Sequence, residues 1–106
     1  MEGYIMAFKP ITIEKEIKGV KYVAQFNGMS ARSEIAYLAN EDMRKVAPYL
    51  FENVLVNPKI DNIDEHFGTD AELYDEVIEF LTGVGTADKE YFPASVDDKD
   101  GGNGKK

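Results

Sequence analysis

The side chains with the most evident chemical reach in this sequence are acids. Glu72, Asp75, Glu76 and Glu79 recur at i, i+3, i+4 and i+7, the spacing of one face of a helix, with no Lys or Arg placed at helix spacing to offset them. General acid/base chemistry needs one carboxylic acid of a pair raised in pKa by burial, and four acids turned together toward water do not meet that condition. What the pattern does suit is a solvated face that keeps the chain soluble, or a docking surface for a basic partner.

Other chemistry is thinly represented. The single histidine, His66, stands beside Asp64 and Glu65, but a transition-metal site needs three or four converging ligands, and the chain has no second His and no Cys. An exposed polar loop is the expectation there. The run Asp61-Asn62-Ile63-Asp64-Glu65 lacks the alternating acids, the central glycine and the closing glutamate of a calcium loop. Gly83 and Gly85 do not form a phosphate-binding motif, and the absence of cysteine excludes a disulfide scaffold and a thiol nucleophile. No cofactor, no metal and no catalytic residue is expected, and the chain reads as a non-enzyme.

The 106 residues carry a net charge of −8, with 20 acids against 12 bases. Residues 1–60 hold 7 acids and 8 bases, whereas residues 61–100 hold 13 acids and 2 bases, so the negative field belongs to the second half. Such a field repels phosphate backbones and anionic membranes, which argues against nucleic-acid and membrane partners. No stretch approaches the length of apolar chain that spans a bilayer, and Met1 to Pro10 lacks the basic start and apolar run of a signal peptide. A cytoplasmic location is the expectation.

The elements that would position these side chains follow from hydrophobic period. Ile11, Ile13 and Ile17, then Val20, Tyr22, Ala24 and Phe26, alternate on either side of Lys18-Gly19, which predicts a β-hairpin. Ser30 is the expected N-cap of a helix facing the core through Ala31, Ile35, Leu38 and Ala39. Met43, Val46, Ala47, Leu50, Phe51, Val54 and Leu55 follow a helical stripe, capped by Asn40, with a kink or break at Pro48 as the first residue of a second helix. Asn57-Pro58 stops it. Thr69 and Glu72 suggest a capping box for a last helix that ends at Gly83 and buries Tyr74, Val77, Ile78 and Leu81, flanked by Leu73 and Phe80. Tyr91 and Phe92 are candidates to dock on the domain or to meet a partner. Residues 93–106, Gly-rich and charged, have too little apolar content to fold and are expected to form a flexible, disordered tail. The fold class expected is α+β: one mainly α-helical domain over residues 1–92 with an N-terminal β-hairpin.

The stretch Tyr49-Leu50-Phe51-Glu52-Asn53-Val54-Leu55-Val56-Asn57-Pro58-Lys59, followed by an acidic spacer and a helix over Glu72 to Leu81, resembles the small tail assembly chaperones of long-tailed bacteriophages and prophages of Gram-positive bacteria. The likeness covers about residues 11–83. It implies a non-enzymatic role: binding and solubilising the tape measure protein, helping recruit major tail protein subunits to the tube, self-associating, and leaving before the virion is complete. Glu72, Asp75, Glu76, Glu79, Tyr91 and Phe92 are the candidate partner-binding residues. The alternatives are a small acidic phage regulator or inhibitor that mimics DNA while docking a basic protein, and a structural tail or head-tail connector subunit.

Overall fold

A computed structural model describes residues 9–92. The expected flexible tail, residues 93–106, lies outside the described residues.

The alternating segment forms β1, Ile11–Ile17, and β2, Val20–Phe26, paired antiparallel with Ile17 opposite Val20 and Ile11 opposite Phe26. Lys18 (φ 50°) and Gly19 (φ 83°) both adopt left-handed backbone, the type I′ geometry whose twist matches that of the flanking strands. Tyr22, Ala24, Phe26 and Ile17 are buried on one face, while Val20 at the hairpin end remains 42% exposed. A third strand, β3, Leu55–Asn57, pairs antiparallel with β2 and gives the order β1-β2-β3. The helical stripe was expected to run through Leu55, so β3 corrects that reading.

Helix α1, Met29–Glu41, starts one residue before the expected Ser30 cap. Gly28 occupies the cap position at φ 107° with no side-chain hydrogen bond, and only Ile35 is fully buried along the helix. The following path is helical from Met43 to Val54 with a changing pitch: a 3₁₀ turn at Met43–Lys45, then α2 at Val46–Tyr49, then a π turn at Leu50–Val54. Its cap is Asp42, not Asn40; the Asp42 carboxylate accepts from the Arg44 backbone N–H at 3.0 Å. Pro48 is the third residue of α2 rather than the first. The 3₁₀ turn runs directly into α2, with the Val46 N–H already bonded to the Met43 carbonyl, so the donor that Pro48 lacks is one that the preceding turn would otherwise receive. The irregular pitch lies on either side of the proline, in the 3₁₀ turn before it and the π turn after it. Met43, assigned to the core stripe by its spacing, is 67% exposed, because the tighter 3₁₀ turn rotates it off the face that Val46, Leu50, Phe51 and Val54 share.

The segment expected as loop around His66 contains a short helix, α3, Ile63–Phe67, capped by the Asn62 side chain accepting from the Glu65 N–H at 3.0 Å. The last helix, α4, spans Ala71–Gly85 and is capped by Asp70, not Thr69, through a 3.0 Å bond from the Leu73 N–H. It passes through Gly83. The stop comes two residues later as a Schellman turn: the Asp88 N–H donates to the Gly83 carbonyl at 2.8 Å and the Ala87 N–H to that of Val84 at 3.2 Å, with Ala87 at φ 58°. Val77, Phe80, Leu81 and Val84 are its buried apolar side chains, whereas Leu73, Tyr74 and Ile78 are half-buried, so the core face is centred further toward the C-terminal end than the spacing indicated. The sheet, α1, the π turn and α4 meet in one core around Tyr22, Leu50, Val54, Val77, Phe80 and Leu81.

Candidate functional site

The acidic quartet is where the spacing placed it, on the outer face of α4, with Glu72, Asp75, Glu76 and Glu79 all exposed. Among the described residues one lysine reaches this face. Lys18, at the hairpin tip, lies 3.1 Å from Asp70 and 3.3 Å from Glu72. Its hydrogen bond to Asp70, seconded by Glu72, raises the Lys18 pKa; the Leu73 backbone N–H and then Lys18 lower that of Asp70. The tie also gives the strained left-handed Lys18 a structural role, since it fastens the hairpin tip to the start of α4.

Tyr91 and Phe92 fold back onto the domain. The Tyr91 ring stacks edge-on against Phe80 at 5.4 Å and lies directly over Gly83, where a methyl group would overlap it. Phe92 packs on Phe26 at 5.7 Å. Lys15 Nζ stands 5.7 Å above the Tyr91 ring. Burial pushes the Tyr91 phenol up in pKa, and Lys15 draws it the other way. Both rings remain half-buried. The structure therefore separates the six candidate residues into an open acidic face and an aromatic clasp seated on the core.

A third region had not been singled out from the sequence. Phe51 in the π turn, Phe67 at the end of α3 and Tyr74 in α4 form an aromatic group with centroid separations of 5.7, 5.2 and 6.4 Å. Two clefts of about 360 and 330 Å³ flank this group and share Ile63 as their common wall. The first opens between the π turn and the chain leading into α3, over Pro48, Phe51 and Ile60; the second opens between α3 and α4, over Phe67 and Tyr74. Glu52, Asp61, Asp64 and Asp70 line them, against one cation, Lys59. The spacing of Ile60, Ile63 and Phe67 at i, i+3, i+7 was a usable signal, hidden by the polar residues between them.

His66 sits on α3 rather than in a loop. Its ring packs on Phe67 at 4.7 Å, and its Nε2 lies 3.0 Å from the hydroxyl of the buried Tyr22. This bond satisfies the one polar atom of a side chain otherwise enclosed in the core. Burial raises the Tyr22 pKa. Among the described residues no three His, Cys, Asp or Glu side chains group as a metal site, and no helix is long and apolar enough to cross a membrane.

Comparisons with protein-family models, with curated proteins and with solved structures gave no match to this chain.

Proposed function

We propose that this chain is a non-enzymatic phage tail assembly chaperone, which binds the tape measure protein, keeps it soluble in the host cytoplasm and helps recruit major tail protein. The reading starts from the resemblance of Tyr49 to Lys59 to that family. The structural observation that carries it furthest is the open apolar ground beside Phe51, Ile63 and Tyr74, set among carboxylates on a chain of net charge −8. Nonpolar surface gives a grip on an aggregation-prone client, and the charge keeps the complex dispersed. Exposed Met29, Tyr37 and Met43 add apolar surface suited to self-association. The test is co-expression with the tape measure protein of the same phage or prophage. The soluble fraction of that protein should rise severalfold, the two should copurify through a high-salt wash, and the chain should be missing from purified virions. An equally insoluble tape measure protein with and without the chain rejects the proposal.

One observation favours a second reading, an acidic protein that docks a basic partner. Asp75, Glu76 and Glu79 stand exposed on α4, away from the Lys18 tie. Binding through that face would fall steeply with ionic strength and with neutralisation of Glu72, Asp75, Glu76 and Glu79. Contacts that survive salt count against it.

A further inference from the structure

We infer that the paired clefts on either side of Ile63 receive one face of a basic amphipathic helix from a partner chain, one apolar side chain seating in each cleft. The inference rests on the chaperone reading for the identity of the partner but stands on its own geometry. Phe51 and Phe67 are 6% exposed and give each cleft a solid floor, while Ile60, Ile63 and Tyr74 are half-buried and leave apolar surface open above it. Two adjoining apolar recesses separated by one ridge suit side chains a helical turn apart, which is how helix-in-groove sites read their guests.

Charge selects the occupant. Carboxylates from three separate segments border the clefts: Glu52 on the π turn, Asp61 and Asp64 around the start of α3, and Asp70 at the cap of α4. Lys59 is the single cation among the lining residues, and Asp70 is already engaged by Lys18, which leaves Glu52, Asp61 and Asp64 to meet a guest. An acidic or neutral helix would gain the apolar contact but meet repulsion or nothing at the rim. A helix with Lys or Arg beside its apolar stripe gains both. A second copy of this chain is disfavoured as guest, because its most apolar helix, α4, carries Glu72, Asp75, Glu76 and Glu79 on the face that would flank the stripe.

The test uses the full chain and a fluorescein-labelled synthetic helix of about 18 residues, long enough to be helical when bound, built from a Leu stripe at i, i+3, i+4, i+7 with Lys elsewhere. The same peptide with Glu in place of Lys, and one with Ala in place of Leu, serve as comparisons. The Leu/Lys peptide should bind roughly tenfold tighter than either, and its amide shift changes should centre on Phe51, Ile60, Ile63, Phe67 and Tyr74. The double variant Glu52→Lys, Asp61→Lys should weaken binding roughly fivefold, while Asp75→Lys, Glu76→Lys, with the same change in net charge, should weaken it much less. Equal losses in the two variants, shift changes on the outer face of α4, or equal binding of the Leu/Glu peptide would overturn the inference. Outcomes for the two proposals separate cleanly. If the tape measure protein is solubilised equally well by wild type and by Glu52→Lys, Asp61→Lys, the groove is wrong and the chaperone stands; if the peptide maps to the groove and no tape measure protein is solubilised, the groove stands and the chaperone is wrong.

Discussion

Gly83 is the residue whose side chain matters by its absence. It lies inside α4, where alanine is ordinarily better than glycine by about 1 kcal/mol, yet the Tyr91 ring fills the place of its Cβ. Gly83→Ala should therefore expel Tyr91 from Phe80, read as lost ring contacts in NMR spectra, with little or no gain in stability. In a Tyr91→Ala background the same substitution should stabilise by about 0.5–1 kcal/mol. Equal effects in both backgrounds would show that the ring does not occupy that notch. Ala87 presents the opposite case: it holds the left-handed position of the Schellman turn that glycine usually fills, and Ala87→Gly should stabilise by about 0.5–1 kcal/mol in urea unfolding. Asp70 links stability to pH. Its folded pKa is lowered from 3.8, so its contribution is complete above that value and disappears as pH falls through the folded one. Asp70→Asn, which keeps a capping oxygen, should retain more thermal stability at pH 7 than Asp70→Ala, and both variants should lose less than wild type on acidification below pH 4. A wild-type-like acid loss in Asp70→Ala would assign that loss to other groups.

At the scale of elements, no strand among the described residues pairs with the outer edge of β1, and β3 covers only part of the opposite edge of β2. Thr12, Glu14 and Glu16 are exposed on β1, and charges on an edge strand discourage another strand from pairing there. Replacing Glu14 and Glu16 with Val should produce concentration-dependent association by sedimentation, and a sedimentation profile unchanged from wild type would show that the edge is protected by another means. The hairpin and α4 were legible because alternation, the Lys18-Gly19 turn and the Val77 to Leu81 stripe each repeat long enough to identify a period. The π turn and β3 were not. Leu50, Phe51, Val54 and Leu55 suit a continuing helix equally well, and a three-residue strand with exposed Val56 and Asn57 has no alternation to show. What decides between them is the edge of β2, against which Leu55–Asn57 pairs, a long-range effect that local spacing does not contain. The cap errors are smaller in kind: Asp42 and Asp70 stand close to other capping residues, Asn40 and Thr69, and carboxylates won both positions. Of the candidate site, the acidic face was readable from its helical spacing. The cleft pair was not, since it forms only when the π turn, α3 and α4 are brought together.

For the whole molecule the governing quantity is the charge of −8, concentrated between residues 61 and 100. Exposed ion pairs such as Lys18–Asp70 and Lys45–Glu41 are individually weak, so relief of mutual repulsion should outweigh their loss as salt is added. The urea midpoint should rise on moving from low to moderate sodium chloride, and a fall would mean that the ion pairs matter more than the repulsion. The two fastenings that close the domain respond differently to that change. The hairpin tip is held by opposite charges and slackens as ions screen them. The Tyr91 ring is held by the shape of a missing methyl and by nonpolar contact, which salting-out ions such as sulfate reinforce. A salting-out salt such as sulfate thus acts as a selective lever on this molecule, freeing the turn between its first two strands while tightening the latch behind its last helix.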